Sequence, residues 1–536
     1  MPVRILIAIC LLIRLEARTL AEQASADTLL LRSNTQLVQV NVVVHNRKGE
    51  PVDDLKKEDF SLTDRGKAQT ISFFSVESTG KLAAPVVKLP PHVFSNRFSE
   101  RAGAPSSVTV ILLDALNTEV KDQLYAKDQL VRFLQQIRPE DRVAIYTLGR
   151  GLKILHDYTS DSAELVAKLA KFGGQNLPDV ASSTANPGAL QMGFDFLASS
   201  KAEADFHTSN RALNTLKALE AIAQHLASVP GRKNLIWLSG GFPLQMGFDE
   251  TTRPGAMPRE QRSFFEETMH TIRALNNANV AMYPVDARGL LLGPDFTGLD
   301  QQAPGRRGPF QPIVTNVDTM KELANRTGGR ASYNGNDLDK AIRNAIEDAK
   351  VTYTLGYYPG VIEQDDKFHE IKIKVERPGV TARYRKGYFP LREVQQDAKS
   401  RRAQLASAAW SPLDATAVTL NARVNIVKDP PPDTMTIVTQ VDVSTLRLEQ
   451  KDDKWVGKVD LIFVQKDEQG RPMTGITDSV DLNLPRESYL KILKTGLIYQ
   501  RSFPRNAKAE SLRIAVRDAG SGSAGSVTVP LSQLEN

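Results

Sequence analysis

The chain has 536 residues, 41% hydrophobic and 24% charged, the balance of ordinary folded protein, which excludes wholesale disorder, collagen and polytopic membrane classes. At about 100–200 residues per domain, this length implies roughly three or four domains. The net charge of +6 is spread thinly. Its basic clusters are short and carry too few aromatics for a stacking platform, so a nucleic-acid partner is not expected.

Residues 1–26 read as a secretory leader. Arg4 gives a positive start, Ile5–Ile13 is an apolar run too short to span a bilayer, and Ala24-Ser25-Ala26 fits a cleavage site. The competing reading is a disordered cytosolic N-terminus, favoured by the charges at Arg14, Glu16 and Arg18. No later segment reaches about 18 consecutive apolar residues, so no transmembrane span is expected in the mature chain. Cys10, the only cysteine, falls in the leader. The mature protein is therefore expected to lack disulfides, thiolate nucleophiles and cysteine metal ligands.

Residues 36–76 read as strands: Gln36–His45 alternates and then runs apolar, and Phe60–Thr63 and Thr70–Val76 continue the pattern. Pro85, Pro90, Pro91 and Pro105 mark residues 78–105 as a connector. Val108–Leu113 (VTVILL) has no polar face, the pattern of a central strand covered on both sides. Helical spacing follows at Leu130, Leu134 and Ile137, then a second buried strand at Arg142–Leu148, a short strand near Leu152–Leu155 and a helix over Ala163–Phe172. Residues 173–209 read as loop. A helix at about 210–228 leads to the third buried strand, Asn234–Leu238, and a helix from Phe264 to Leu275 leads to Val280–Val285.

A Pro/Gly/Gln-rich loop at 287–315, a helix near 317–327, a short strand at Arg330–Tyr333 and a helix at 336–350 complete the alternation. Such alternation predicts a mostly parallel, doubly wound sheet with helices on both faces and right-handed crossovers. This is an α/β domain over 106–350. Beyond it, Val351–Tyr358, Glu370–Glu376 and Thr381–Tyr388 alternate again. Residues 391–412 read as a linker with helical character, and seven short alternating runs over 413–536 predict a C-terminal β-sandwich.

Several stretches carry a resemblance to a known family. Gly49–Phe60 (GEPVDDLKKEDF) precedes the α/β domain and Val110–Thr118 (VILLDALNT) opens it. Tyr283–Leu290 (YPVDARGL), Thr327–Gly329 (TGG), Tyr353–Pro359 (YTLGYYP) and His369–Phe389, ending in RYRKGYF, follow. In these and in its order of elements the chain resembles von Willebrand factor type A (VWA) domain proteins, and over about 35–390 the VWFA-related proteins common in acidobacterial genomes. The resemblance implies a Rossmann-like VWA domain inserted into one β-rich unit, with 35–77 pairing with 351–390. The segment beyond 400 lies outside it.

The resemblance further implies a Mg²⁺ site at the carboxyl end of the sheet. It would be built from an Asp-x-Ser-x-Ser loop after the first strand, a Thr from a second loop and an Asp after the fourth strand. Mg²⁺ takes near-octahedral oxygens at about 2.1 Å, and the crevice beyond the strand ends is where open α/β sheets bind ligands. Here Asp114 matches the first position and Thr118 the last hydroxyl, but Leu116 replaces the middle hydroxyl and Gly240 stands where the second acid would be. Asn117 could offer an amide oxygen, and Thr208 or Ser209 the second-loop hydroxyl. Two readings stay open: a weakened or remodelled Mg²⁺ site, with no cofactor required, or Asp114 as a cap of the next helix, with Thr118 satisfied in the same turn.

Nothing in the chain points to an enzyme. The single His-Glu pair, His369-Glu370, lies on a predicted strand with no second His, and no phosphate loop or Gly-x-Ser-x-Gly elbow is present. Ser239 precedes two glycines at a strand end, but Trp237 stands where an elbow's leading Gly would be. Asp286 and Arg288 are read as an ion pair or loop clamp, and His225 is given no role. The expectation is a secreted or periplasmic protein whose VWA-like module binds another protein or a surface polymer. The binding face would be the loops at 114–120, 149–151, 173–209, 239–258 and 286–315. The other readings are a scaffold subunit of an envelope complex and a hydrolase with an unorthodox site in the same crevice.

Overall fold

The computed structural model describes residues 37–78, 89–97, 108–138, 141–173, 194–229, 231–242, 245–246, 262–289, 315–335, 337–359, 368–388, 397–427 and 433–534. Residues 1–26, read from the sequence as a leader, lie outside them.

The first β unit takes strands from both sides of the α/β domain. Val38–Asn46 (β1), Phe60–Asp64 (β2), Lys67–Gln69 (β3) and Phe73–Ser78 (β4) come from the N-terminal side. In β1 the alternating start and apolar run bury seven of nine residues. The next strand, Val93–Ser95 (β5), does not join this unit.

The α/β domain opens with Val108–Asp114 (β6), followed by Val143–Leu148 (β7) and Leu152–Thr159 (β8). Lys233–Ser239 (β9) comes next, then a two-residue ladder of Gln245–Met246 (β10) with Arg262–Ser263 (β11), and finally Val280–Asp286 (β12). The sheet order is β12-β9-β6-β7-β8, with β6 parallel to β7 and β9, β9 parallel to β12, and edge strand β8 antiparallel to β7. A parallel bridge from Val285 to Ser332 extends the far edge. The run in β6 divides by strand alternation. Val108, Val110 and Leu112 enter the core under the helices Phe194–Leu226, Phe265–Asn277 and Thr315–Thr327. Ile111 and Leu113 enter the opposite core, under Val120–Leu134, Ser162–Ala170 and Leu338–Glu347. Helices on both faces of a mostly parallel sheet match the sequence expectation.

Val351–Tyr357 (β13), His369–Val375 (β14), Val380–Tyr384 (β15) and Gly387–Tyr388 (β16) return to the first β unit. Its sheets are ordered β15-β1-β13-β4 and β16-β14-β2-β3, around a core that includes Val40, Val42, Leu62, Tyr353 and Ile371.

The C-terminal strands are Leu420–Val427 (β17), Thr434–Val441 (β18), Glu449–Lys451 (β19), Lys454–Lys466 (β20), Pro472–Pro485 (β21), Leu497–Pro504 (β22), Ser511–Asp518 (β23) and Ala524–Pro530 (β24). They form one sheet ordered β22-β18-β17-β5 and another ordered β19-β20-β23-β24, with β21 on β20. A shared core holds Leu420, Val424, Phe463 and Ile514 among others.

Three expectations need correction. The connector at 78–105 contains β5, which pairs with β17. Its neighbour Asn96 donates to Ala415 O and Val418 O, each at 2.8 Å. The proline density masked a three-residue edge strand too short for an alternation signal. Within the linker at 391–412, Ala398–Trp410 is a helix that packs Leu405 and Ala409 on Val464 and Ala515. Helical character is expected there from the sequence; its packing on the C-terminal sheet is not, because Leu405 is the one large apolar residue on the buried side. A helix, Arg486–Thr495, also separates β21 from β22; it buries no residue fully, so apolar periodicity did not reveal it.

Candidate functional site

The carboxyl ends of β6, β7, β9 and β12 form one edge of the α/β sheet. Asp114 ends β6 there, 2% exposed. Its Oδ1 accepts from the backbone N–H of Leu116 at 3.0 Å and of Asn117 at 3.1 Å. Its Oδ2 accepts from Asn117 Nδ2 at 2.8 Å, Trp237 Nε1 at 3.0 Å and Ser239 Oγ at 2.7 Å. A carboxylate offers about four lone-pair sites, so these donors account for its full accepting capacity. Burial pushes the Asp114 pKa above the ordinary carboxylate range, against the lowering pull of Asn117, Ser239 and Trp237.

The rest of the loop closes in the same way. Leu116, at the position of the missing hydroxyl, turns inward and joins the core. Thr118 Oγ1 accepts from Gly240 N at 3.0 Å, and Gln123 Nε2 donates to Thr118 O at 2.7 Å. A Cβ on Gly240 would stand 2.5 Å from Asn117 O. No side chain of any kind, an aspartate included, fits there unless the 115–118 loop withdraws.

The two second-loop candidates are corrected. The Phe194–Leu226 helix begins sixteen residues before the expected start at 210, so Thr208 and Ser209 lie inside it and not on a loop. Thr208 Oγ1 accepts from Arg211 at 3.1 Å. Thr215 of this helix meets the 114–118 loop, accepting from Asn117 Nδ2 at 2.7 Å and donating to Arg211 O at 2.8 Å. Asn117 thus presents its amide nitrogen toward Asp114 and Thr215. Thr215 was missed; its signal was a hydroxyl one position before Leu216 on the apolar stripe of that helix.

The donor set does not fit a Mg²⁺ ion. The ion needs oxygen lone pairs, and four of the five hydrogen bonds to Asp114 come from N–H groups of Leu116, Asn117 and Trp237, which have none to offer; Ser239 Oγ is the one oxygen among these donors. Among the described residues no cluster of three His, Cys, Asp or Glu side chains could hold a metal.

Asp286 and Arg288 form the ion pair expected from the sequence, with Arg288 Nε on Oδ1 at 2.9 Å and Nη2 on Oδ2 at 2.8 Å. His225, given no role, lies at a domain junction, its Nδ1 2.7 Å from Asp414 O. Much of the expected binding face, including 174–193, 247–261 and 290–314, lies outside the described residues.

Residues of three other family-like stretches, Tyr283, Gly328-Gly329 and Arg383 with Arg385, meet away from this edge, where the first β unit joins the α/β domain. Tyr283 donates to Asp348 Oδ2 at 2.8 Å and accepts from Arg232 at 3.1 Å. Arg232 also donates to Gly328 O at 2.7 Å. From the β unit, Arg383 pairs with Asp348, and His45 Nε2 lies 3.2 Å from it. Burial raises the Asp348 pKa, but His45, Arg383 and Arg232 outweigh it and hold the group below its ordinary range. Built Cβ atoms at Gly328 and Gly329 would stand 2.7 Å from Arg385 N and 1.7 Å from Met282 O. TGG is therefore a close-packing motif of this junction.

The fold includes a VWA-like α/β domain, on the evidence of its strand order and its antiparallel third strand, inserted in one β-rich unit and followed by a second. No family model and no curated protein matches the chain. Solved structures similar to it include an aerotolerance-related membrane protein from Bacteroides fragilis, at 15% identity over 45% of this chain and 98% of that one, with a TM-score of 0.24. BatB from Bacteroides thetaiotaomicron is similar at 12% identity over 45% and 97%, TM-score 0.22. The ArnB paralog VWA2 from Sulfolobus acidocaldarius is similar at 8% identity over 88% and 78%, TM-score 0.20. Among the described residues no helix is long and apolar enough to cross a membrane.

Proposed function

We propose that the α/β domain is a metal-independent interaction module of a secreted or periplasmic protein. It engages a protein or surface polymer through the loops at the carboxyl edge of its sheet. The observation that carries this reading is the enclosure of Asp114: the donors that surround it occupy the position a metal-dependent adhesion site would use. What stays available for contact is the loop surface on a rigid frame, including exposed Arg150 in the turn after β7. The protein belongs on this reading with the VWFA-related proteins its sequence resembles, as a binding protein without catalytic residues.

The test is retention of the partner by immobilised full chain from an envelope extract, in EDTA and in Mg²⁺. The expected result is equal retention in both, with loss in the Arg150→Glu variant at the loop edge. Retention that needs Mg²⁺, or that survives the loop variant, would contradict the proposal. A partner retained at fixed stoichiometry through purification would favour the envelope-scaffold form of the same reading.

A further inference from the structure

A second concavity, of about 330 Å³, lies where the end of the α/β domain meets the first β unit. Its lining includes Lys321 and Asn325 on the Thr315–Thr327 helix, Arg330 and Tyr333 on the segment beside β12, and Arg383 and Lys386 from the β unit. Among the described residues four cations line it, and no carboxylate does.

Two of the ammonium groups are seated on rings. Lys321 Nζ lies 4.9 Å from the Tyr333 ring centroid and Lys386 Nζ 4.2 Å from that of Tyr384. Aromatic faces hold a cation in place without cancelling its charge. Arg383 is committed to buried Asp348, and the Lys321 charge meets Asp318 at only 3.9 Å on a largely exposed helix face. Lys321, Arg330 and Lys386 therefore direct positive charge into one concavity from three separate stretches of chain. Like charges held close repel one another, and a compact multivalent anion relieves that repulsion.

We propose that this pocket binds a phosphoryl group. A phosphate monoester carries about −1.5 to −2 charges at neutral pH and three acceptor oxygens, matching three converging cations. Arginine supplies the planar fork that phosphate oxygens accept. The volume leaves room for a small carrier beside the phosphoryl group. The carrier is either a soluble molecule or a lipid headgroup, and the chemistry recognised is the same.

The test is calorimetric titration of the full chain with inorganic phosphate at constant ionic strength, beside the Arg330→Ala/Lys386→Ala double variant. Both side chains are exposed, so the variant is expected to keep its fold, checked by circular dichroism. Saturable binding that weakens at least tenfold in the variant supports the site. Flotation with vesicles of phosphatidic acid, against phosphatidylcholine alone, then separates the sources. Variant-sensitive flotation assigns a lipid headgroup, and phosphate binding without flotation assigns a soluble ligand. Absence of saturable phosphate binding, equal affinity in the variant, or binding of polyglutamate in preference to phosphate overturns the proposal.

Discussion

Trp237 Nε1 donates to Asp114 Oδ2 at 3.0 Å, joining the ends of two neighbouring parallel strands across the point where a VWA metal would sit. Trp237 is fully buried, and a buried indole N–H needs an acceptor. The same contact satisfies the indole and takes one acceptor site from the carboxylate. Trp237→Phe keeps most of the ring volume but removes the N–H. It should cost about 1.5–3 kcal/mol, the range for a hydrogen bond to a charged group, measured by denaturant unfolding. A loss below about 0.5 kcal/mol would show that the contact contributes little.

Gly240→Asp restores the residue type of a metal-binding sheet end, and here it should fail. Its Cβ would meet Asn117 O at 2.5 Å, so the expected result is destabilisation by about 1–3 kcal/mol, the range for overpacking. No gain of Mg²⁺ binding should appear by calorimetry. A variant that folds at wild-type stability and binds Mg²⁺ would mean the loop opens readily.

Lys233 gives a pH prediction. It is 2% exposed, donates to Val229 O at 2.7 Å, and burial pulls its pKa down to about 7 from the usual lysine value. Between about pH 7 and 10.5 the unfolded chain binds a proton there that the folded chain does not, so stability rises with pH across that window. One proton corresponds to a slope of at most about 1.4 kcal/mol per pH unit. Lys233→Met should flatten that slope and stabilise the protein most at and below pH 7. Equal slopes in the two proteins would contradict the assignment.

At the junction between domains, Arg383→Ala leaves Asp348 buried with one cation fewer. Breaking a buried pair on one side costs about 3–5 kcal/mol. Asp348→Asn together with Arg383→Ala should cost less than the sum of the two single changes, as expected for partners in contact. Additive losses would place the two residues in independent roles.

The parts of the fold that read well from the sequence are those where one face or both are apolar without interruption. β6 is legible because Val108–Leu113 has no polar face, and β14 because HEIKIKV buries every second residue over its first six positions. Elements stabilised by partners distant in sequence were not legible. β5 exists through its ladder with β17, more than 300 residues away. The first turns of the Phe194–Leu226 helix lie in a stretch rich in serine and alanine, with no clear apolar period.

The candidate site divides in the same way. Asp114, Thr118 and Gly240 could be placed by local motif and strand-end position. Whether Asp114 faces an ion or protein donors depended on Trp237, Ser239 and Thr215, which come from other elements. Trp237 carried a usable signal, as the one polar N–H in an otherwise aliphatic strand end. Several family-like stretches proved to be architectural: Tyr283 and Arg383 meet at Asp348, the two glycines of TGG pack closely at the junction, and Leu55, Phe60 and Tyr353 lie in the core of the first β unit.

The most direct test of a metal-independent module is thermal unfolding of the full chain in EDTA and in excess Mg²⁺, Mn²⁺ or Ca²⁺, beside Asp114→Ala. A specific ion at a hundredfold its dissociation constant would stabilise the folded state by about 2.7 kcal/mol, a shift of several degrees. The account predicts one wild-type midpoint in every condition, and an Asp114→Ala variant destabilised by the same amount with or without ions. An ion-specific rise in the wild-type midpoint that disappears in Asp114→Ala would contradict it.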